Sequence, residues 1–205
     1  MNFNNYPLYL ITSKPYDKTL FLKLLRSALE KGVRLVQIRA KELNNEDYKK
    51  LSMAAIELCH EYDAKVLLSI KLDCMDELNA DGVHLPSADM MNFNTRPIPN
   101  KYILSVACHN AEQVVHATTI DADLVIICPI FSTPSSPQGN PMGWSTFSTL
   151  SRLTTIPVYA LGGVSPSDLD TARLHGATGI AAIRSLWIDD IELDQFTSFA
   201  TTSLL

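Results

Sequence analysis

The sequence is poor in the features that mark nucleic-acid binding, export or membrane insertion. Its 17 Lys and Arg residues are outnumbered by 22 Asp and Glu residues, giving a net charge of −5 without a basic cluster. This balance argues against a nucleic-acid partner. No apolar stretch approaches the ~20 residues of a membrane span, and the N-terminus lacks the charged start and apolar run of a signal peptide. We therefore expect a cytoplasmic protein without a membrane partner.

Cysteine is also sparse and forms no metal-binding pattern. The four cysteines stand at residues 59, 74, 108 and 128, without a CxxC spacing. Their mostly apolar surroundings indicate reduced core thiols. Hydrophobic residues, by contrast, make up 46% of the 205 residues, which is enough to build the core of a single domain.

Short apolar segments and amphipathic segments alternate eight times along the chain. The segments predicted as strands are 8–12, 33–39, 65–69, 81–85, 101–108, 123–128, 156–161 and 179–183. Helical patterns lie between them, and the spacing requires parallel pairing with right-handed crossovers. A further amphipathic helix is predicted at 193–199, within a C-terminal segment 188–205 that follows the core at 8–187.

Two architectures satisfy this alternation, an eight-stranded barrel and an open doubly wound sheet. A dinucleotide-binding open sheet would carry a GxGxxG turn after its first strand. Residues 12–15 read Thr-Ser-Lys-Pro and contain no glycine. We therefore predict one (β/α)8 TIM barrel spanning residues 1–205.

Polar residues collect at the predicted ends of several strands. Side-chain alternation places Gln37 and Arg39 on the same face of the second strand as Val33 and Leu35. An apolar face that ends in polar groups is typical of the C-terminal mouth of an enzyme barrel, and the alternative is a strand whose polar residues face water. The loop at residues 131–143 is rich in Pro, Gly and Ser, which indicates a binding loop or, alternatively, surface disorder.

The last two strands carry the pattern of a phosphate site. Glycines without a Cβ atom let a ligand oxygen approach the main chain, and a helix that follows offers N–H groups to an anion. Two neighbouring strand ends of this kind resemble the phosphate site of β/α barrels, although a tight turn would also need glycine. The predicted phosphate-binding residues are Gly162, Gly163, Ala182, Ile183 and Arg184.

Five short motifs occur in an order that resembles the thiamine-phosphate synthase/TenI family of small barrels. They are Val-Gln-Ile-Arg-Ala-Lys at 36–41, Ala-Asp-Gly-Val-His-Leu at 80–85, Pro-Ile-Phe-Ser-Thr-Pro at 129–134, Ala-Leu-Gly-Gly at 160–163 and Gly-Ile-Ala-Ala-Ile at 179–183. The resemblance covers residues 8–187. The amino-acid sequence at 39–43 and 181–187 is most similar to that of the synthase-like domain that some bacteria carry behind a Nudix hydrolase domain.

This resemblance implies a transferase of thiamin biosynthesis or salvage. The family synthase joins an aminopyrimidine, activated as its pyrophosphate, to a thiazole phosphate, so small phosphorylated pyrimidines and thiazoles are the implied partners. Residues that match the family's pyrimidine and pyrophosphate set are Gln37, Arg39 and Lys41. Substrate-binding hydroxyl groups are implied at Ser69, Thr133 and Ser135.

Several positions depart from the family pattern around Mg²⁺ and pyrophosphate. Ile70 stands in place of an aspartate that binds Mg²⁺, and Asp89 is the matching carboxylate that remains. Ser136 replaces a lysine on the pyrophosphate, and Ala107 replaces a serine. These departures leave Mg²⁺ in doubt as a cofactor and predict weak or absent synthase activity.

The TenI branch offers a second interpretation, because it isomerises a thiazole carboxylate phosphate without Mg²⁺. Its acid–base histidine corresponds to Pro129, which cannot transfer a proton. His109 is the candidate substitute base at the barrel mouth, with a hydrogen-bonded structural histidine as the alternative. His84 is interpreted as a structural histidine.

Three functions therefore stay open: a synthase with an altered metal site, a TenI-like thiazole phosphate enzyme, and a non-catalytic binder of thiamine-type phosphates. The resemblance favours an enzyme. It also suggests a functional link to a Nudix hydrolase, and a homodimer stays open.

Overall fold

The chain folds into a closed barrel of eight parallel strands. In the computed structural model, which describes residues 1–13, 17–69, 75–133 and 140–187, each strand pairs with the next, and the eighth pairs with the first. The strands are β1 (Leu8–Ile11), β2 (Leu35–Ile38), β3 (Lys65–Leu68), β4 (Gly82–Leu85), β5 (Ile103–Cys108), β6 (Leu124–Ile127), β7 (Val158–Leu161) and β8 (Gly179–Ala182). The predicted (β/α)8 barrel is confirmed.

Helices follow the strands on the outside of the barrel. They are α1 (Lys18–Glu30), α2 (Asn45–Glu61), α3 (Met75–Leu78), α4 (Ser87–Met90), α5 (Ala111–Thr119), α6 (Gly143–Ser151) and α7 (Leu169–Leu174). Side-chain caps define the starts of α2 and α5: Asn44 accepts from the Asp47 N–H, and Asn110 accepts from the Gln113 N–H. None of the helices in the described ranges is long and apolar enough to cross a bilayer. The predicted helix at 193–199 lies outside the described residues.

Each strand is slightly shorter than its apolar run, and this difference matters for the site. The second strand ends at Ile38 rather than at residue 39, and the third ends at Leu68. Arg39 and Ser69 therefore lie just beyond the carboxyl ends of β2 and β3. Their side chains belong to the mouth of the barrel rather than to its wall.

The core has two layers, which follow from the alternation of side chains along each strand. Side chains on the outer face of the strands pack against the helices, as in any β/α barrel. A second cluster fills the barrel interior and consists of Phe3, Tyr9, Ile11, Leu35, Leu67, Leu124, Ile126, Tyr159 and Ala181. This interior forms a packed floor beneath the carboxyl end of the barrel.

An ion cluster ties β3 and β4 together at the amino-terminal end of the barrel. The Asp81 carboxylate accepts hydrogen bonds from the Val66 N–H at 2.9 Å and from Lys65 Nζ at 2.7 Å, and lies 3.0 Å from His60 Nε2. Burial raises the pKa of Asp81, but the hydrogen bonds from Lys65, Val66 and His60 outweigh it, so the net pKa is lowered. The cluster therefore stabilises the ionised carboxylate in the folded state.

Candidate functional site

A cavity of about 780 Å³ opens at the carboxyl end of β2 to β5. We call it the first cavity. It brings together six residues predicted from the sequence, Gln37, Arg39, Lys41, Ser69, Asp89 and His109. Its wall also includes His84 and Ala107. The residues implied to bind a pyrimidine and a pyrophosphate thus face one space.

A second cavity of about 570 Å³ lies beside it, over the ends of β6 to β8. All five predicted phosphate-binding residues line this second cavity, together with Thr133 and Pro129. Arg39 and His109 line both cavities, as do Leu161 and Ile183. The mouth therefore consists of two adjoining chambers with a cation and an imidazole between them. Ser135, Ser136 and Ile70 lie outside the described residues.

Two glycines shape the second cavity through their backbone conformations. Gly162 and Gly163 have φ angles of 105° and 70°, in the region that side chains disfavour. A Cβ atom on Gly163 would lie 2.8 Å from Cβ of Phe131. The same turn is joined to the segment that follows β6, because Phe131 N–H donates to the Gly162 carbonyl at 2.9 Å. Glycine is thus needed here for the turn and for the close approach of Phe131.

The helix start after β7 differs from the expected anion site. Ser165, which precedes this turn, uses its own donors internally: its N–H donates to the Asp168 carboxylate at 2.8 Å, and its hydroxyl donates there at 3.0 Å. Pro166 has no N–H group. The start of this 3-10 turn (Pro166–Asp168) is therefore satisfied internally, and the main-chain donors for an anion must come from Gly163 and Val164.

The matching donors across the cavity come from the segment after β8. Arg184 begins a short 3-10 turn (Arg184–Leu186), and both Arg184 and Ser185 line the second cavity. The Ser185 hydroxyl donates to the Val164 carbonyl at 3.1 Å, which joins the two segments predicted to bind phosphate. A phosphate between them would meet main-chain N–H groups and the Arg184 guanidinium, a charge-assisted donor.

A chain of buried polar groups lies at the floor of the first cavity. Tyr9 Oη donates to Gln37 Oε1 at 3.2 Å and lies 3.4 Å from Ser105 Oγ. Ser105 Oγ lies 2.8 Å from His84 Nδ1, and Gln37 Nε2 donates to Ser69 Oγ at 2.6 Å. The interpretation of His84 as a hydrogen-bonded histidine is confirmed. Burial, and next the positive charge of Lys41, lower the pKa of His84 to about 3, so the ring is neutral at physiological pH.

Sequence reasoning missed Tyr9 and Ser105 as members of this chain. Ser105 is a polar residue that is fully buried in an otherwise apolar strand, and this is the signal that could have identified it. Tyr9 gives no such signal, because a tyrosine in a strand usually packs as a hydrophobic residue. Its pKa is raised by burial, and the hydrogen bond with Ser105 opposes this in part.

The fit of the site to Mg²⁺ is poor. Asp89 faces the first cavity, but no group of three or more His, Cys, Asp and Glu side chains that could hold a metal is found in the part of the chain that the structure describes. Mg²⁺ needs near-octahedral oxygen ligands and often takes one or two protein carboxylates plus water and substrate phosphates. Asp89 could therefore hold Mg²⁺ only together with a bound pyrophosphate.

The closed barrel, the glycine turn after β7 and the cavity lined by Arg39 and Arg184 beside that turn define a β/α-barrel protein with its cavities at the carboxyl ends of the strands. Residues 8–186 match the family model described as thiamine monophosphate synthase (TMP-TENI). The chain therefore belongs to this family, whose thiamine-phosphate synthases are transferases, and the resemblance stated from the motifs is confirmed.

Curated relatives extend over most of the chain. A "Putative thiamine-phosphate synthase 2" of Aquifex aeolicus is 35% identical over 176 residues, covering 86% of this chain and 95% of that protein. A thiamine-phosphate synthase of Clostridium perfringens is 32% identical over 184 residues and covers 89% of both chains. A solved thiamine phosphate pyrophosphorylase from Pyrococcus furiosus superposes with a TM-score of 0.78 at 22% identity, over 97% of this chain and 98% of the other. This structure shows the shared fold.

Proposed function

We propose that this chain joins an aminopyrimidine pyrophosphate to a thiazole phosphate in thiamin biosynthesis or salvage, at a site whose Mg²⁺–pyrophosphate region is partly degenerate. One observation carries the proposal: the two cavities adjoin and share Arg39 and His109. Two phosphorylated substrates bound side by side would meet at these residues. The match to curated thiamine-phosphate synthases supports this choice of substrates.

The first cavity would hold the aminopyrimidine and its pyrophosphate. Gln37 offers an amide to the heteroaromatic ring, and Arg39 and Lys41 supply positive charge for the pyrophosphate. When the C–O bond breaks, its electron pair leaves with the pyrophosphate, so negative charge grows on the leaving oxygens. Cationic side chains that face this charge stabilise the transition state.

The second cavity would hold the thiazole phosphate by its phosphate group. Gly163 and Arg184 would anchor the phosphate, which leaves the thiazole ring directed toward the first cavity across Arg39 and Leu161. The lone pair of the thiazole nitrogen then forms the C–N bond to the pyrimidinyl-methyl carbon. The contribution of the protein is chiefly to hold the two substrates in this order and to exclude water.

A turnover assay tests the proposal. Purified chain is incubated with both substrates, with and without Mg²⁺, and thiamine phosphate is measured by chromatography. We expect slow product formation that requires both substrates, and its abolition in Arg39→Gln. Arg152→Gln is the control, because Arg152 lies at the end of α6 and does not line either cavity. Absence of product with both substrates bound would support a non-catalytic binder instead.

A second candidate, a TenI-like isomerase of a thiazole carboxylate phosphate, is favoured by the position of His109. Its Nδ1 atom lies 2.8 Å from the Cys128 carbonyl oxygen, which leaves Nε2 available at the boundary of the two cavities. An imidazole nitrogen so placed can move a proton on a ligand in the second cavity. Isomerisation of the thiazole substrate without the pyrimidine substrate would distinguish this reaction from the synthase reaction.

A further inference from the structure

Four buried polar side chains form the hydrogen-bonded chain beneath the first cavity. Tyr9, Gln37, Ser105 and His84 come from four different strands, and all four side chains are buried. Tyr9 and Ser105 have no exposed surface, so neither can contact a ligand directly. Their hydroxyl groups connect two residues, Gln37 and His84, that do face the cavity.

With the Gln37 amide oxygen facing Tyr9 and its nitrogen facing Ser69, as the structure has it, the direction of each hydrogen bond follows from the number of hydrogen atoms present. The Gln37 amide oxygen can only accept, so the hydroxyl hydrogen of Tyr9 must point to it. Tyr9 has no second hydrogen to offer, so the contact with Ser105 at 3.4 Å requires Ser105 to donate to Tyr9. Ser105 must then accept from His84 at 2.8 Å. All three contacts are hydrogen bonds only if Nδ1 of His84 carries the hydrogen.

The opposite ring nitrogen of His84 then carries a lone pair. Nε2 has no hydrogen-bond partner within the described ranges. It is also not fully enclosed, because the fully enclosed side-chain nitrogen and oxygen atoms without a partner in those ranges are Ser52 Oγ and Arg96 Nε. Nε2 of His84 therefore reaches the first cavity. Because the ring is neutral at physiological pH, this nitrogen is an acceptor.

We propose that Tyr9 and Ser105 are positioning residues whose hydroxyl groups fix the amide orientation of Gln37 and the tautomer of His84. The cavity floor then presents an N–H donor from Gln37 beside a ring-nitrogen acceptor from His84. This pair matches a heteroaromatic edge on which a ring nitrogen stands next to an exocyclic amino group. Matching that edge to an aminopyrimidine rests on the proposed function, whereas the tautomer of His84 does not.

Nitrogen-15 NMR of histidine-labelled protein tests the proposal without any ligand. Ring ¹⁵N shifts distinguish a nitrogen that carries hydrogen from one with a lone pair, and we expect His84 in the Nδ1–H form. In Tyr9→Phe the Ser105 hydroxyl loses its acceptor and must donate to Nδ1 instead. We therefore expect His84 to change to the Nε2–H form in this variant.

Tyr159→Phe provides a matched control. Tyr159 is also fully buried, packs edge-on against Tyr9 with ring centroids 5.7 Å apart, and donates to the Tyr6 carbonyl rather than to the polar chain. Its removal deletes a buried hydroxyl in the same core and should leave the His84 tautomer unchanged. An Nε2–H form in the wild type, or an unchanged tautomer in folded Tyr9→Phe, would overturn the proposal. If Tyr9→Phe does not fold, Ser105→Ala takes its place, with loss of the pure Nδ1–H form as the expected result.

A kinetic readout separates positioning from stability. We expect KM for the aminopyrimidine pyrophosphate to rise about tenfold in Tyr9→Phe, the size of one lost hydrogen bond, with KM for the thiazole phosphate unchanged. An equal rise in both KM values would contradict a role at the first cavity. If the NMR result is as predicted but the aminopyrimidine pyrophosphate does not bind, the proposed function is refuted and the positioning role stands.

Discussion

The Nδ1 atom of His109 lies 2.8 Å from the main-chain carbonyl oxygen of Cys128. A carbonyl oxygen can only accept, so Nδ1 carries a hydrogen and Nε2 of the neutral ring is left with a lone pair. The contact joins the ends of β5 and β6 and holds the imidazole between the two cavities. Sequence reasoning had proposed His109 as a base, and this hydrogen bond explains how such a base would be oriented.

Replacement of His109 by Gln tests this role. If Nε2 moves a proton on the thiazole substrate, His109→Gln should lower the isomerisation rate about a hundredfold and leave thiazole phosphate affinity nearly unchanged. His116→Gln is the control, because His116 Nε2 contacts the Phe93 carbonyl at 2.9 Å and His116 does not line either cavity. Equal rates in the wild type and His109→Gln would leave His109 with a structural role only.

The phosphate site can be tested through its glycine turn. Gly163→Ala places a methyl group against Phe131 and strains a backbone at φ 70°, so we expect at least tenfold weaker binding of thiazole phosphate in calorimetry. Gly176→Ala is the matched control. It has a similar strain, with φ 93° and a Cβ position 2.7 Å from Ser151 Oγ, but it does not line either cavity. Equal losses in both variants would mean that strain, and not the site, lowers the affinity.

Mg²⁺-dependent synthase turnover should increase when the family residues are restored at positions 70 and 136. We predict weak synthase turnover in the wild type, and an increase of about a hundredfold in Ile70→Asp combined with Ser136→Lys when Mg²⁺ is present. Ser69 should be left in place, because its hydroxyl accepts from Gln37 Nε2 at 2.6 Å. Fast Mg²⁺-dependent turnover by the unmodified chain would show that Ile70 and Ser136 do not weaken the reaction.

The Asp81 cluster predicts a pH-dependent contribution to stability. The pKa of Asp81 in the folded protein lies below its unfolded value of about 3.9, so its stabilisation is complete above that value and is lost as the pH falls through the folded pKa. Asp81→Asn should lower the free energy of unfolding by about 1–3 kcal/mol at pH 7. Urea denaturation at pH 7 and at acid pH checks this, and a difference that persists in full at pH 2 would contradict it.

The sequence was sufficient to predict the fold, and the five residues predicted to bind phosphate line one cavity. The alternation of strand and helix patterns is compatible with few sheet architectures. The pair Gly162 and Gly163 lies directly after β7, where the chain turns. The sequence did not allow us to predict which hydrogen-bond donors pair with which acceptors. Free N–H groups were expected at the helix start after β7, but the Ser165 N–H donates to the Asp168 carboxylate, a local competition that the spacing of residues does not resolve.

The Tyr9–Ser105 contact, which joins residues far apart in the sequence, could not be predicted either. The two residues are separated by 96 positions, and only closure of the barrel brings their hydroxyl groups together. Side-chain alternation predicts which face of a strand is inside, but it does not predict which interior residues meet across the barrel. The role of His84 was likewise clear only once its partner was known.

A crystal structure with bound thiamine phosphate tests the division of the mouth into two cavities most directly. The account predicts the phosphate against the main-chain N–H groups of Gly163 and Arg184, and the pyrimidine ring in the first cavity against Gln37, with Arg39 alongside. A ligand held entirely in one cavity, or a phosphate bound away from the turn after β7, would contradict it.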